Sequence, residues 1–235
     1  MIAKLKQLWK NEYVQNGVVL GLIALAIFGL WYGTQAVLNT QYPALAVVSG
    51  SMCVPYDAQC EGWTHPFAYT LHKGDLIIIQ GVNPQVLNAN YPNSDIIVFQ
   101  EPSKPTDPDA KIVHRIVAEA LVNGKLYFYT KGDGNSQYTW PSIPPSQYYD
   151  NWYSNPSDPN GTYNGAVSQD YVYGKVVMRI PWLGYIVLFM NPEYNPWGLP
   201  IVVALIILLV IVEFVVPVLR EKGPSEQQKK AQKQP

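Results

Sequence analysis

Only two cysteines and three histidines, Cys53, Cys60, His65, His72 and His114, occur in 235 residues. Two thiolates cannot complete a tetrahedral zinc site without further ligands, so neither a structural nor a catalytic metal is expected. Net charge is almost missing too, at -1. No nucleic-acid partner and no cofactor are expected. Internal repeats are lacking, and residues 136–170, rich in Tyr, Pro, Ser, Asn and Asp, show no helical period and read as an irregular insertion.

Charge is also absent locally. Residues 17–38 carry none, and residues 199–219 carry only Glu213. Each run is long enough to cross a hydrocarbon layer of roughly 30 Å, so two transmembrane helices are predicted. Lys4, Lys6 and Lys10 outnumber Glu12 before the first run, and Arg220, Lys222, Lys229, Lys230 and Lys233 outnumber Glu221 and Glu226 after the second. Positive flanks put both termini in the cytoplasm and residues 39–198 on the outer surface of a cell membrane. The expected layout is a cytoplasmic N-terminus (1–16), a first span (17–38), an extracytoplasmic domain (39–198), a second span (199–219) and a basic cytoplasmic tail (220–235). A cleavable signal peptide is the competing reading of the N-terminus, since Ala44-Leu45-Ala46 has the small-x-small form of a cleavage site. The apolar run exceeds the roughly 7 to 15 residues usual in such peptides, which favours an uncleaved anchor.

An outer location suits a disulfide closing the short loop from Cys53 to Cys60, with two buried free thiols as the alternative. It also suits Asn160-Gly161-Thr162, a possible glycosylation sequon at Asn160. The outer segment reads as mostly β. Apolar or β-branched runs at 44–48, 76–80, 95–99, 111–119, 126–130 and 171–180 are strand candidates, and Asn123-Gly124 is a strong hairpin turn. The apolar stretch 181–189 suits either the core or the bilayer surface.

The chemistry centres on Ser51, which follows the first strand candidate in Ser49-Gly50-Ser51-Met52. This stretch lacks the G-x-S-x-G elbow of α/β-hydrolases. A serine hydroxyl is a weak nucleophile without a base and oxyanion donors. His114, in Ile112-Val113-His114-Arg115-Ile116, is a suitable base near neutral pH. Asp133 lies in Lys131-Gly132-Asp133-Gly134-Asn135, directly after the strand that the hairpin pairs with the His114 strand. Taken singly, a strand histidine and an Asp-Gly turn are commonly structural.

The ordered set is more specific. Ser49-Gly50-Ser51-Met52, Gly74-Asp75-Leu76-Ile77, Asp95-Ile96-Ile97-Val98-Phe99, Val113-His114-Arg115-Ile116-Val117, Lys131-Gly132-Asp133-Gly134-Asn135 and Gly174-Lys175-Val176-Val177 occur in this order. The array resembles the type I signal peptidase family in its archaeal and endoplasmic-reticulum branch, and a short chain with a second span points to the archaeal side. The resemblance implies a signal-peptidase-like β domain between two spans, and a membrane-bound serine endopeptidase that removes N-terminal signal peptides from exported preproteins. In that reading Ser51 is the acylating nucleophile and His114 the general base where the bacterial branch has lysine. Asp133 orients and stabilises His114, and Ser49 joins the Ser51 backbone N–H in the oxyanion hole. Implied partners are preprotein signal peptides, the lipid bilayer and the protein-translocation channel. The substrate is expected to bind extended beside residues 44–48 or 112–117.

Two positions depart from the pattern. The family often has a second aspartate about six residues after the first, itself a candidate for the triad acid, but Thr139 stands here and the next acid is Asp150. A residue is also added in Met52-Cys53-Val54-Pro55, where the family places proline two residues after methionine. Two other readings remain: an inactive membrane-anchored binding or assembly module of the same fold, and a Ser-Lys enzyme using Lys111 or Lys131.

Overall fold

The uncharged N-terminal run folds as one long helix, α1 (Glu12–Leu38), in a computed structural model that describes residues 12–54, 70–154 and 156–215. Among the described residues it contains the one helix long and apolar enough to cross a membrane, Val14–Leu38. Asn39 takes a left-handed conformation (φ 50°) and ends it. The Gly81 N–H then donates to the Leu38 carbonyl at 2.8 Å, tying the helix end to the domain that follows.

That domain is built on an antiparallel sheet of eight strands, β1 (Ala44–Ala46), β2 (Leu76–Gln80), β3 (Ile96–Gln100), β4 (Lys111–Val122), β5 (Lys125–Lys131), β6 (Thr162–Tyr163), β7 (Ala166–Ser168) and β8 (Val172–Ile180). Their order is β1-β2-β8-β3-β4-β5-β7-β6. Strand β3 is buried on both faces, as its unbroken apolar run requires. Alternation sends Ile96 and Val98 into a cluster with Val47, Met52, Leu71, Ile77, Ile79 and Val176. Ile97 and Phe99 point the other way, against Leu87, Ile116, Phe128 and Val167. The loop that carries Ser51 therefore grows out of the first core layer, since Val47 and Met52 on either side of it belong to that layer.

The six sequence-predicted strands all appear, with ends shifted by a few residues. Asn123 and Gly124 adopt φ of 52° and 80°, and Val122 pairs with Lys125, the two-residue hairpin that this dipeptide favours. The insertion at 136–170 is not wholly irregular, which corrects the sequence reading. Asn164 and Gly165 (φ 48° and 83°) turn a second, small hairpin of β6 and β7, which extends the sheet beyond β5. Strands of two and three residues are too short to show alternation in sequence, so the pairing of β7 with β5 and of β6 with β7 decides them.

The chain divides into two compact units, Met1–Gly184 and Tyr185–Pro235. Helix α2 (Gly184–Met190) begins at the boundary and exposes Tyr185, Ile186, Val187 and Phe189. Helix α3 (Gly198–Val210) starts close to the predicted second span and passes into a π-helical turn, Ile211–Val215. Residues 216–219 of that predicted span lie outside the described residues.

Candidate active site

Three segments far apart in sequence meet at Ser51. Strand β1 continues through Val47, whose N–H donates to Asp75 O and whose carbonyl accepts from Gly74, both at 2.9 Å. The chain then turns, and Cys53 N–H closes that turn on Gly50 O at 2.9 Å, leaving Ser51 half-buried with Met52 and Cys53 in the interior. Cys53 is disulfide-bonded rather than a free thiol. Its expected partner, Cys60, lies outside the described residues.

His114 reaches Ser51 from the middle of β4. Its Nε2 lies 3.1 Å from Ser51 Oγ, and the residue is 7% exposed. Ser49 Oγ lies 3.3 Å from the same hydroxyl. The structure thus places Ser49, Ser51 and His114 side by side.

The third partner is a different carboxylate from the one expected. Asp150 Oδ2 lies 2.6 Å from His114 Nδ1. Asp133 instead receives Arg115 Nε on Oδ1 and Arg115 Nη2 on Oδ2, both at 2.8 Å, in a fork buried to 3% and 2% exposure. The reason is strand geometry. Consecutive strand residues leave on opposite faces, so Arg115 and His114 diverge, and the Arg115 fork takes both oxygens of Asp133. Burial pushes the Asp133 carboxyl up from its ordinary value, against the opposing pull of the Arg115 guanidinium on both its oxygens. Asp150 was noted in the sequence only as the next acid after Thr139. The signal that could have found it was that vacancy, which leaves the following acid as the next candidate.

The turn around Asp133 nevertheless shapes the loop of Ser51. Gly134 N–H donates to Ser51 O at 2.9 Å. A Cβ at Gly132 would stand 2.5 Å from Ser51 O, and one at Gly134 would stand 2.0 Å from Cys53 O. Only glycine allows this backbone to approach so closely. Gly134→Ala is therefore expected to push the loops apart, at ~1–3 kcal/mol of stability. Thermal unfolding of the purified protein checks this, and an unchanged Tm would mean that the contact is not constraining.

Lys131 is 2% exposed and its Nζ donates to Gly132 O at 3.0 Å and Asn135 O at 2.5 Å. Burial lowers its ammonium below the ordinary lysine range, with Asp133 and Asp150 opposing. A lowered lysine would suit a Ser-Lys mechanism, but its bonds organise the turn, and the nitrogen in contact with Ser51 Oγ is His114 Nε2. Lys111 Nζ lies over the Tyr42 ring, 4.0 Å from its centre. Asn160 sits exposed in a short 3-10 turn, Pro159–Gly161.

No family model matches the chain. It is 26% identical over 198 residues to the signal peptidase complex catalytic subunit sec11 of Neurospora crassa, an alignment covering 82% of this chain and 88% of that one. To the signal peptidase complex catalytic subunit SEC11 of Tuber melanosporum it is 24% identical over 218 residues, covering 90% and 96%. To that of Verticillium alfalfae it is 24% identical over 198 residues, covering 82% and 88%. With a mostly β domain after an apolar N-terminal helix and this serine, histidine and carboxylate in contact, the chain is a homologue, over most of its length, of the SEC11 signal peptidase catalytic subunits, the endoplasmic-reticulum and archaeal branch of type I signal peptidase.

Proposed function

We propose that this chain is a signal peptidase catalytic subunit, a membrane-anchored serine endopeptidase that removes N-terminal signal peptides from exported preproteins through an acyl-enzyme. The observation that carries the reading is the unbroken contact from Ser51 Oγ to His114 Nε2 (3.1 Å) and from His114 Nδ1 to Asp150 Oδ2 (2.6 Å). An inactive assembly module of this fold has no need of such an alignment.

In this mechanism Asp150 accepts a hydrogen bond from His114 Nδ1–H and so keeps that proton on Nδ1, which leaves the Nε2 lone pair facing Ser51. Ser51 Oγ loses its proton to Nε2 as it attacks the scissile carbonyl carbon. The oxyanion is received by the Ser51 backbone N–H and the Ser49 hydroxyl, donors worth several kcal/mol of barrier in a preorganised site. The imidazolium then protonates the leaving amine, the peptide bond breaks, and the signal peptide remains as an ester on Ser51. Water, deprotonated by His114, hydrolyses that ester.

The layout proposed with it keeps residues 17–38 and 199–219 as spans, both termini cytoplasmic and residues 39–198 outside, where a bond just beyond a membrane-embedded signal segment is presented. The exposed apolar residues of α2 would rest on the bilayer. Signal peptides and lipid are the partners, and a translocation channel supplying the preprotein is a further one.

The test uses the full chain in lipid vesicles with a preprotein, read by the new N-terminus of the product, together with an acylating serine reagent located by mass spectrometry. Cleavage after a small-x-small site and label on Ser51 are expected. Stable preprotein binding without cleavage would favour the assembly module, and label on another serine would move the nucleophile.

A further inference from the structure

In the proposed triad Asp150 stands outside the sheet, on the insertion that joins β5 to β6, whereas His114 lies on β4. A carboxylate on such a segment must be held in place to within a few tenths of an ångström to keep a catalytic hydrogen bond. The interactions that do this converge on one residue, Thr130, which is fully buried near the end of β5.

Thr130 holds the insertion by both its backbone and its hydroxyl. Its carbonyl accepts from the Asp150 N–H at 2.9 Å. Its Oγ1 donates to Asp150 Oδ2 at 3.0 Å, the same oxygen that meets His114 Nδ1. Its Oγ1 also accepts from the Trp152 indole Nε1 at 2.9 Å. Trp152 is fixed in turn, edge-on to Phe99 of β3 with ring centres 5.4 Å apart, and its N–H donates to Gly165 O at 3.1 Å.

The proton directions follow from the donor inventory. An indole nitrogen can only donate, so the Trp152 N–H occupies a lone pair of Thr130 Oγ1. An ionised carboxylate can only accept, so the single Thr130 hydroxyl proton points at Asp150 Oδ2. Oδ2 then holds two donors, Thr130 O–H and His114 Nδ1–H, and the carboxylate cannot turn about its terminal bond without losing one.

We infer that Thr130, oriented by Trp152, is a positioning residue that clamps Asp150 against His114 and so holds the imidazole in the tautomer with Nε2 unprotonated toward Ser51. The inference rests on the proposed mechanism and adds to it a group that touches neither substrate nor nucleophile. At metal sites, removing a group that orients a ligand through a hydrogen bond commonly costs tenfold or more in function, and the same geometric role is played here.

The experiment measures kcat and KM for preprotein cleavage by the full chain in vesicles, for Thr130→Ser, Thr130→Ala and Thr130→Val, each alone and in an Asp150→Ala background. Hydrogen bonds to a charged group support an expected fall in kcat of about tenfold to a hundredfold for Thr130→Ala and Thr130→Val, with KM within about twofold. Thr130→Ser, which keeps the hydroxyl, is expected to stay within about threefold of wild type. In the Asp150→Ala background, under single-turnover conditions, the same Thr130 changes are expected to cost less than about twofold, because their route of action is gone.

Should Thr130→Val fail to fold, the Ser and Ala variants still differ by one hydroxyl and decide the question. Equal losses in both backgrounds, or a loss in Thr130→Ser matching that in Thr130→Ala, would reduce Thr130 to a structural role and overturn the inference. So would an active Thr130→Ala. Ser51→Ala and Asp150→Ala measured alongside separate the two failures. If they keep activity the proposed mechanism falls, and if they lose it while Thr130→Ala does not, only the clamp falls.

Discussion

Ser51→Ala is expected to remove preprotein cleavage almost entirely, lowering kcat by about 10⁵- to 10⁶-fold, and His114→Ala to cost about as much. The two losses are similar because the groups act as a unit. Without Ser51 Oγ there is no atom to carry the acyl group, and without His114 Nε2, 3.1 Å away, nothing takes the hydroxyl proton or returns it to the leaving amine. The double variant should therefore be hardly worse than either single one. Oxyanion donors and substrate binding would leave a small residual rate above water. The measurement is the rate of appearance of mature protein in vesicles at saturating enzyme, with substrate binding followed separately. Normal turnover by Ser51→Ala would end the nucleophile assignment, and fully additive losses would show that Ser51 and His114 do not share a step.

Asp150→Ala is expected to lower kcat by about 10³- to 10⁴-fold with little change in KM, because it is the carboxylate on His114 Nδ1 that selects the tautomer and stabilises the imidazolium. Asp133→Ala should behave differently. It leaves the Arg115 guanidinium buried without its carboxylate, at ~3–5 kcal/mol of stability. The loss appears first as a lower Tm and a smaller folded fraction, while kcat per folded molecule falls far less than in Asp150→Ala. Unfolding monitored beside single-turnover kinetics separates the two. If Asp133→Ala kept wild-type stability and matched Asp150→Ala in kcat, the roles drawn from their hydrogen bonds would have to be exchanged. The distinction matters because Lys131-Gly132-Asp133-Gly134-Asn135 is the acid-bearing motif most visible in the sequence. In the fold its glycines and its ion pair shape the loop of Ser51 and brace the strand of His114.

Much of this protein is written in local pattern. The long uncharged run, the period of the strands and the Asn123-Gly124 turn each depend on residues close in sequence, so helix α1, strands β1 to β5 and β8, and the first hairpin were legible. Ser51 and His114 were legible for a related reason. A serine in a glycine turn after an apolar strand, and a histidine inside an alternating one, lie within short motifs whose order along the chain is distinctive.

What sequence did not decide was which carboxylate faces the imidazole. Motif spacing offers Asp133, but strand alternation puts His114 and Arg115 on opposite sides, and Arg115 takes Asp133. Asp150 arrives from a segment with no period of its own, brought back to the sheet by Thr130, Trp152 and the small β6–β7 hairpin. Local chemistry thus determined the elements and picked out Ser51 and His114. The choice of acid belonged to tertiary structure, because a hydrogen bond 2.6 Å long between residues 36 apart depends on how the intervening chain packs.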